Sequence, residues 1–351
     1  MAEENQTTHK RRVRYSGKYP KKFEEKYKEL QPEKYKDTIE HVIKKGNTPA
    51  GMHISIMVNE ILDFLKIQPG EIGFDATLGY GGHTKAMLQC LNGQGHIYAT
   101  DVDPEESAKT RKRLEEAGFG EDILTIRLQN FCTIDEIAKE VGGFDFILAD
   151  LGVSSMQIDN PKRGFSFKVD GPLDLRLNQE AGISAAERLD TITKDELAGM
   201  LYENSDEPYC EELAKAITDE IRKGNRIDTT TKLRNIIEKT LDFLPEKEKK
   251  DTIKKTCQRT FQALRIDVNR EFEVLYEFME KLPDALKPGG RAAILTFHSG
   301  EDKLVKKALK EGYRAGVYAD YAKDVIRPSA QECAQNGRAR STKMRWAVKA
   351  E

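Results

Sequence analysis

Apolar positions begin to repeat only after residue 53, where Ile56, Ile61, Leu62 and Leu65 share one face of a helix that Pro69-Gly70 ends. Short apolar runs then alternate with amphipathic stretches. Residues 72–76, 96–100, 124–128 and 144–148 have the length and composition of buried strands, and residues 84–91, 105–117 and 134–141 between them have helical spacing. This rhythm predicts an α/β fold around a parallel sheet, with a ligand site outside the carboxyl ends of the strands.

The rhythm stops near Asp159. Residues 184–189, 194–202, 211–222 and 230–241 all read as helices separated by polar turns. Residues 272–286 then read as a helix, Lys287-Pro288-Gly289-Gly290 as a stop, and 291–297 as a buried strand. The expected organisation is therefore a Rossmann-like core from residues 51–158 and 262–351, interrupted by a helical insertion at 159–261 that serves substrate recognition. Residues 1–50 hold 13 Lys or Arg and 8 Asp or Glu with almost no aliphatic periodicity. They read as an appendage, either a solvated tail or a phosphate contact.

At 351 residues the chain is long enough for a substantial core, and 38% hydrophobic with 33% charged residues fits a folded, soluble protein. The net charge of −2 gives no whole-molecule preference for an anionic partner. The polar, basic N-terminus lacks the apolar region of a signal peptide, and no run is long enough to span a membrane. Five widely spaced cysteines without a Cys-x-x-Cys pair point to neither a disulfide framework nor a zinc knuckle, so a reducing cytoplasm is expected.

Candidate chemistry gathers at the strand ends. Asp75-Ala76-Thr77-Leu78-Gly79-Tyr80-Gly81-Gly82-His83 is a glycine-rich turn feeding a helix, where glycine permits φ > 0 and close approach of a ligand to backbone N–H groups. The spacing differs from the dinucleotide Gly-x-Gly-x-x-Gly because Thr84 stands at the third glycine position. Asp101, at the end of the second strand, follows Gly79 by 22 residues and is placed to accept hydrogen bonds from ribose hydroxyls. Together the two features indicate an adenosine-containing cofactor, and Asp150 stands at a third acidic strand end. The lack of a Walker motif counts against phosphoryl transfer.

The motifs of this chain resemble those of the MraW, or RsmH, family of bacterial small-subunit ribosomal RNA (cytosine-N4)-methyltransferases. The resemblance runs from His53 to Val348. It rests on the 75–83 turn, Asp150-Leu151-Gly152-Val153-Ser154-Ser155-Met156-Gln157-Ile158-Asp159, Arg163-Gly164-Phe165-Ser166-Phe167 and Asp170-Gly171-Pro172-Leu173-Asp174-Leu175-Arg176. Further blocks are Ala263-Leu264-Arg265-Ile266-Asp267-Val268-Asn269, Phe297-His298-Ser299-Gly300-Glu301-Asp302 and the basic run from Arg338 to Arg345. Tyr80 in place of the family's common Arg, and Gly300 in place of a Leu, mark a divergent branch.

The resemblance implies a class I S-adenosylmethionine-dependent methyltransferase acting on 16S ribosomal RNA of the small subunit, at a cytosine in the peptidyl-site decoding region. It implies Gly81, Gly82 and His83 beside the methionine part of the cofactor, Asp101 on the ribose, Phe131 near the adenine, and Asp150 and Gln157 completing the pocket. Arg163, Arg176, Arg338, Arg340, Lys343 and Arg345 are the basic groups inside matching motifs and the candidates for RNA contact, although any of them can instead be a structural ion-pair partner. In-line methyl transfer needs alignment and no metal. Asp150 is the first candidate to accept the N–H bonds of the cytosine amine, with Asp174 and His298 behind it. Methylation at cytosine C5 would need a nucleophilic cysteine, typically after proline, and no cysteine here follows one. The rivals are an amine methyltransferase acting on DNA or protein, and a ribosome assembly factor that binds the cofactor without turnover. Oligomeric state, with a homodimer as one arrangement, is left open by the sequence.

Overall fold

The computed structural model describes residues 55–351; the charged segment 1–50 lies outside the described residues. The chain runs α1 (Val58–Leu65), β1 (Ile72–Asp75), α2 (Gly82–Leu91), β2 (His96–Asp101), α3 (Pro104–Glu116), β3 (Leu124–Leu128), α4 (Ile134–Val141), β4 (Phe144–Asp150) and α5 (Ser155–Asp159). Five helices follow: α6 (Ala185–Thr191), α7 (Lys194–Ser205), α8 (Cys210–Arg222), α9 (Thr230–Thr240) and α10 (Glu246–Asn269). The chain closes with α11 (Glu271–Ala285), β5 (Leu286–Thr296), α12 (Ser299–Arg314), β6 (Tyr318–Tyr321), α13 (Ala330–Gln335) and β7 (Lys343–Lys349).

Seven strands form one sheet in the order β3-β2-β1-β4-β5-β7-β6. The pairs among β1 to β5 are parallel, and β7 joins β5 and β6 antiparallel. Both faces are covered, so central strands such as Phe144–Asp150 are apolar throughout and not alternating. Ile147 and Ala149 pack with α4, α11 and α12 on one side, and Phe146 and Leu148 with α1 and α2 on the other. The Lys287-Pro288-Gly289-Gly290 stretch, expected as a stop, lies inside β5. It is accommodated as an irregularity in which the register moves from Phe144↔Leu286 to Phe146↔Arg291, with Gly289 at φ 71°.

Helices α6 to α10 enclose a separate cluster that includes Leu189, Leu201, Leu213, Ile217, Leu233 and Ile237. Helix α10 continues past residue 261 to Asn269, and its Phe261, Ala263 and Leu264 belong to this cluster. A boundary at 261/262 thus falls inside one continuous helix.

Candidate active site

The strand order reverses between β1 and β4, and at such a point in an open α/β sheet the strand ends form a crevice. The turn after β1 is held from below by Asp75, which is buried and accepts hydrogen bonds from Thr84 Oγ1 at 2.6 Å and the Thr77 N–H at 3.1 Å. Gly79 and Gly81 have φ of 48° and 82°, conformations a side chain would strain. A Cβ on Gly79 would meet nothing nearer than the Thr77 carbonyl oxygen at 3.8 Å, so that side of the turn is open to a ligand. The other two glycines depart from the expectation that their missing side chains admit a ligand. A Cβ on Gly81 would lie 2.7 Å from Thr110 Cγ2, and one on Gly82 would collide with Ser55 Oγ. Their hydrogens admit the protein itself. Gly82→Ala is expected to destabilise the protein by about 1–3 kcal/mol, the range for overpacking, and Ser55→Gly in the same chain is expected to restore most of the loss. Denaturant midpoints of the single and double variants check this coupling.

Asp101 ends β2. Its two oxygens accept the N–H groups of Gly79 (2.8 Å) and Asp103 (2.9 Å), which leaves each oxygen one further lone pair. Burial pushes its carboxyl up to about 6, against the lowering effect of the Gly79 N–H. Asp103, which the motif reading does not pick out as a site residue, is almost fully buried. It caps α3 by accepting from Glu105 and Glu106 N–H, accepts Gln157 Nε2 at 3.0 Å, and pairs with Arg163. The Asp-Pro pair at a helix start is the sequence signal that could have marked its capping role. Gln157, expected in the cofactor pocket, spends its amide on Asp103 and on a capping box with Ser154. Phe131 packs edge-on against Phe278 with ring centroids 5.2 Å apart and is only partly buried.

Asp150 ends β4, and its N–H donates to Thr77 Oγ1 at 2.8 Å, tying the strand end to the glycine turn. His83 lies buried beside it, with Nε2 2.9 Å from the Ile56 carbonyl oxygen and Nδ1 3.4 Å from Asp150 Oδ2. A ring nitrogen facing a carbonyl must carry a proton. Burial disfavours the imidazolium, but the hydrogen bond and charge of Asp150 outweigh it and raise the His83 pKa overall. Asp150 Oδ1 is buried and has no hydrogen-bond partner among the described residues. An orphan acceptor is costly in a finished interior and fits a site that waits for a donor.

The other expected residues separate into two groups. Arg163 and Arg345 are buried, so the structure corrects their placement as RNA contacts: Arg163 pairs with Asp103, and Arg345 donates through Nε to Asp302 Oδ1 at 2.7 Å. Lys343 reaches the same Asp302 at 2.8 Å. Arg176 grips Asp174 through two hydrogen bonds of 2.8 and 2.9 Å and donates to the Gly182 carbonyl. Burial would raise the Asp174 carboxyl, but Arg176 and Gln179 more than offset it and hold it below the usual range, which makes Asp174 a poor base. Arg338 forms a bidentate pair with Asp159, whereas Arg340 is exposed. His298 follows β5, with Nε2 3.2 Å from Glu301 Oε1 and its ring against Phe272. Glu271 converges on the same place and is held by Arg265 through two bonds of 2.8 Å. All five cysteines are free, and burial pushes the Cys257 thiol up to about 12, far from a nucleophile's range.

A parallel five-stranded sheet extended by the antiparallel strands β7 and β6, with a glycine turn after β1 and an acidic residue ending β2, defines a Rossmann-like S-adenosylmethionine-dependent methyltransferase. The open backbone at Gly79, the spare lone pairs of Asp101 and the orphan Asp150 oxygen fit that cofactor. The MraW methylase family profile matches residues 50–350, and the chain belongs to that family. It is similar to ribosomal RNA small subunit methyltransferase H 1 of Agathobacter rectalis, at 87% identity over the whole of both chains. It is also similar to the protein of the same name from Lachnoclostridium phytofermentans, at 70% identity over 99% of this chain and 95% of that one. Among solved structures it is similar to an S-adenosylmethionine-dependent O-methyltransferase from Thermotoga maritima, with a TM-score of 0.39, 12% identity, and 86% of this chain and 68% of that one covered.

Proposed function

We propose that the protein methylates N4 of a cytosine in the peptidyl-site decoding region of 16S ribosomal RNA, in the bacterial cytoplasm. Family membership and the names of its relatives support the substrate class. The observation that carries the chemistry is the unpartnered Asp150 Oδ1 at the end of β4. Bound S-adenosylmethionine supplies an electrophilic methyl group on a positively charged sulfur. The cytosine amine is a weak nucleophile because its lone pair is delocalised into the ring. Asp150 Oδ1 accepting one N–H localises that pair and then takes the proton that the methylated nitrogen sheds. His83, fixed by Ile56, lies beside the other carboxylate oxygen, which leaves Oδ1 as the oxygen without a protein partner among the described residues. The target base must be unstacked to reach this pocket.

For the cofactor, we assign the ribose to Asp101, the adenine to the exposed side of Phe131, and the methionine part to the turn at Gly79 to His83. Gln157 acts one step back by holding Asp103. Helices α6 to α10 are assigned to RNA recognition, with Arg340 as an exposed contact. The Asp101 assignment gives a pH dependence. A raised carboxyl contributes stability below its unfolded value of 3.8 and loses that contribution as pH rises through about 6. Ribose binding needs the ionised form, so cofactor affinity is expected to fall as pH drops below about 6. Calorimetric titration from pH 5 to 8 checks this, with Asp101→Asn expected to bind weakly and without that pH dependence.

The substrate class is tested by incubating the protein with methyl-labelled S-adenosylmethionine and small subunits from cells lacking the enzyme, then separating RNA from protein. Label in the RNA is expected. Label confined to ribosomal proteins, or cofactor binding without any transfer, would overturn the reading.

A further inference from the structure

Most basic groups in the matching motifs are neutralised inside the fold, so the charge that meets an anionic partner has to come from elsewhere. Helix α12 supplies it. Its core face carries Glu301, Asp302, Val305 and Leu309. On the opposite side Lys303, Lys306, Lys307, Lys310 and Arg314 line one shallow groove in which Glu311 is the only acid. All five basic residues are exposed. Several lysines on other surface helices pair with a carboxylate one turn away, as in Lys109 with Glu105, Lys139 with Asp135, Lys232 with Asp228 and Lys255 with Asp251. On α12 the corresponding contact is a single Lys307–Glu311 approach of 4.0 Å. Lys303, Lys306, Lys310 and Arg314 have no ion pair among the described residues.

The face spans about 17 Å from Lys303 to Arg314 at 1.5 Å per residue. It begins one turn after His298, next to the carboxyl ends of β4 and β5, and leads away from them. Exposed aromatic rings flank it. Tyr313 packs at a tilt against Tyr321 with centroids 5.0 Å apart, and Tyr276 on the adjacent helix α11 is exposed. Unpaired cations in a row beside accessible aromatic rings match the sugar-phosphate backbone and splayed bases of RNA.

We propose that this face of α12 is the phosphate-binding track along which the RNA strand leaves the methylation pocket. It rests on the reading of RNA as substrate. The track positions RNA without reading its sequence, because lysine contacts to phosphate carry no base information.

The test is the triple variant Lys303→Gln, Lys306→Gln, Lys310→Gln, titrated with an in vitro transcript of small-subunit ribosomal RNA over a range of salt. Each phosphate of single-stranded RNA deprived of its lysine lowers the slope of log K against log salt by about 0.7, so a fall of roughly 2 is expected, with binding weakened at least about tenfold at low salt. S-adenosylmethionine affinity should be unchanged, and a Lys→Arg triple should bind the transcript as the parent does. Unchanged transcript affinity and slope in the Gln variant would overturn the track. A defect on intact subunits but not on the transcript would overturn it too, by assigning the face to a protein. Failure of the unaltered protein to bind or methylate any RNA would remove the substrate reading, and the track with it.

Discussion

Asp150→Asn is expected to slow methyl transfer by about 10²- to 10⁴-fold, the range for loss of a positioned proton acceptor, while cofactor affinity changes by only a few fold. The asparagine has nearly the same shape, and its backbone N–H still donates to Thr77 Oγ1. It can orient an amine through its carbonyl oxygen but cannot take the proton. Its neighbour His83 would also lose the negative charge that raises its pKa. Single-turnover transfer measured beside calorimetric binding separates the two effects. A variant that turns over like the parent would place the proton acceptor elsewhere, with His298 next because it follows the neighbouring strand beside Glu301.

Asp103→Ala is expected to cost about 3–5 kcal/mol of stability, because it leaves the buried Arg163 guanidinium without its closest counter-charge. The same change removes the cap of α3 and the partner of Gln157, so the loops after β2 and β4 lose their common anchor. Asp103→Ala with Arg163→Leu should be more stable than Asp103→Ala alone, since no charge is then stranded. Denaturant unfolding of the three proteins measures this. Equal loss in the single and double variants would mean that the cap, and not the stranded charge, accounts for the effect.

The βα rhythm is legible in the sequence because parallel strands covered on both faces are apolar along their whole length, and the helices between them keep one face wet. Helix α10 is not, since Glu246 to Lys255 is almost entirely charged and its apolar positions gather only in its second half. Strand β7 escapes the pattern reading although Lys343-Met344-Arg345-Trp346 alternates in the manner of a strand, because its basic residues resemble a phosphate-binding run equally well. Arg345 shows why chemistry is harder to read than fold. Its partner Asp302 lies 43 residues away, and Arg163 finds Asp103 across an equally unreadable gap. Gly82 likewise has its reason in Ser55, far back in the chain ahead of α1. Asp101 and Asp150 are visible because strand ends in a parallel sheet fall at one edge wherever the strands lie in sequence.

The most direct measurement is nucleoside mass spectrometry of 16S ribosomal RNA after transfer from labelled S-adenosylmethionine to subunits lacking the mark. Label in N4-methylcytidine is the predicted result. Label in 5-methylcytidine or in a methylated purine would contradict the role given to Asp150, because neither places an exocyclic cytosine amine against its free oxygen.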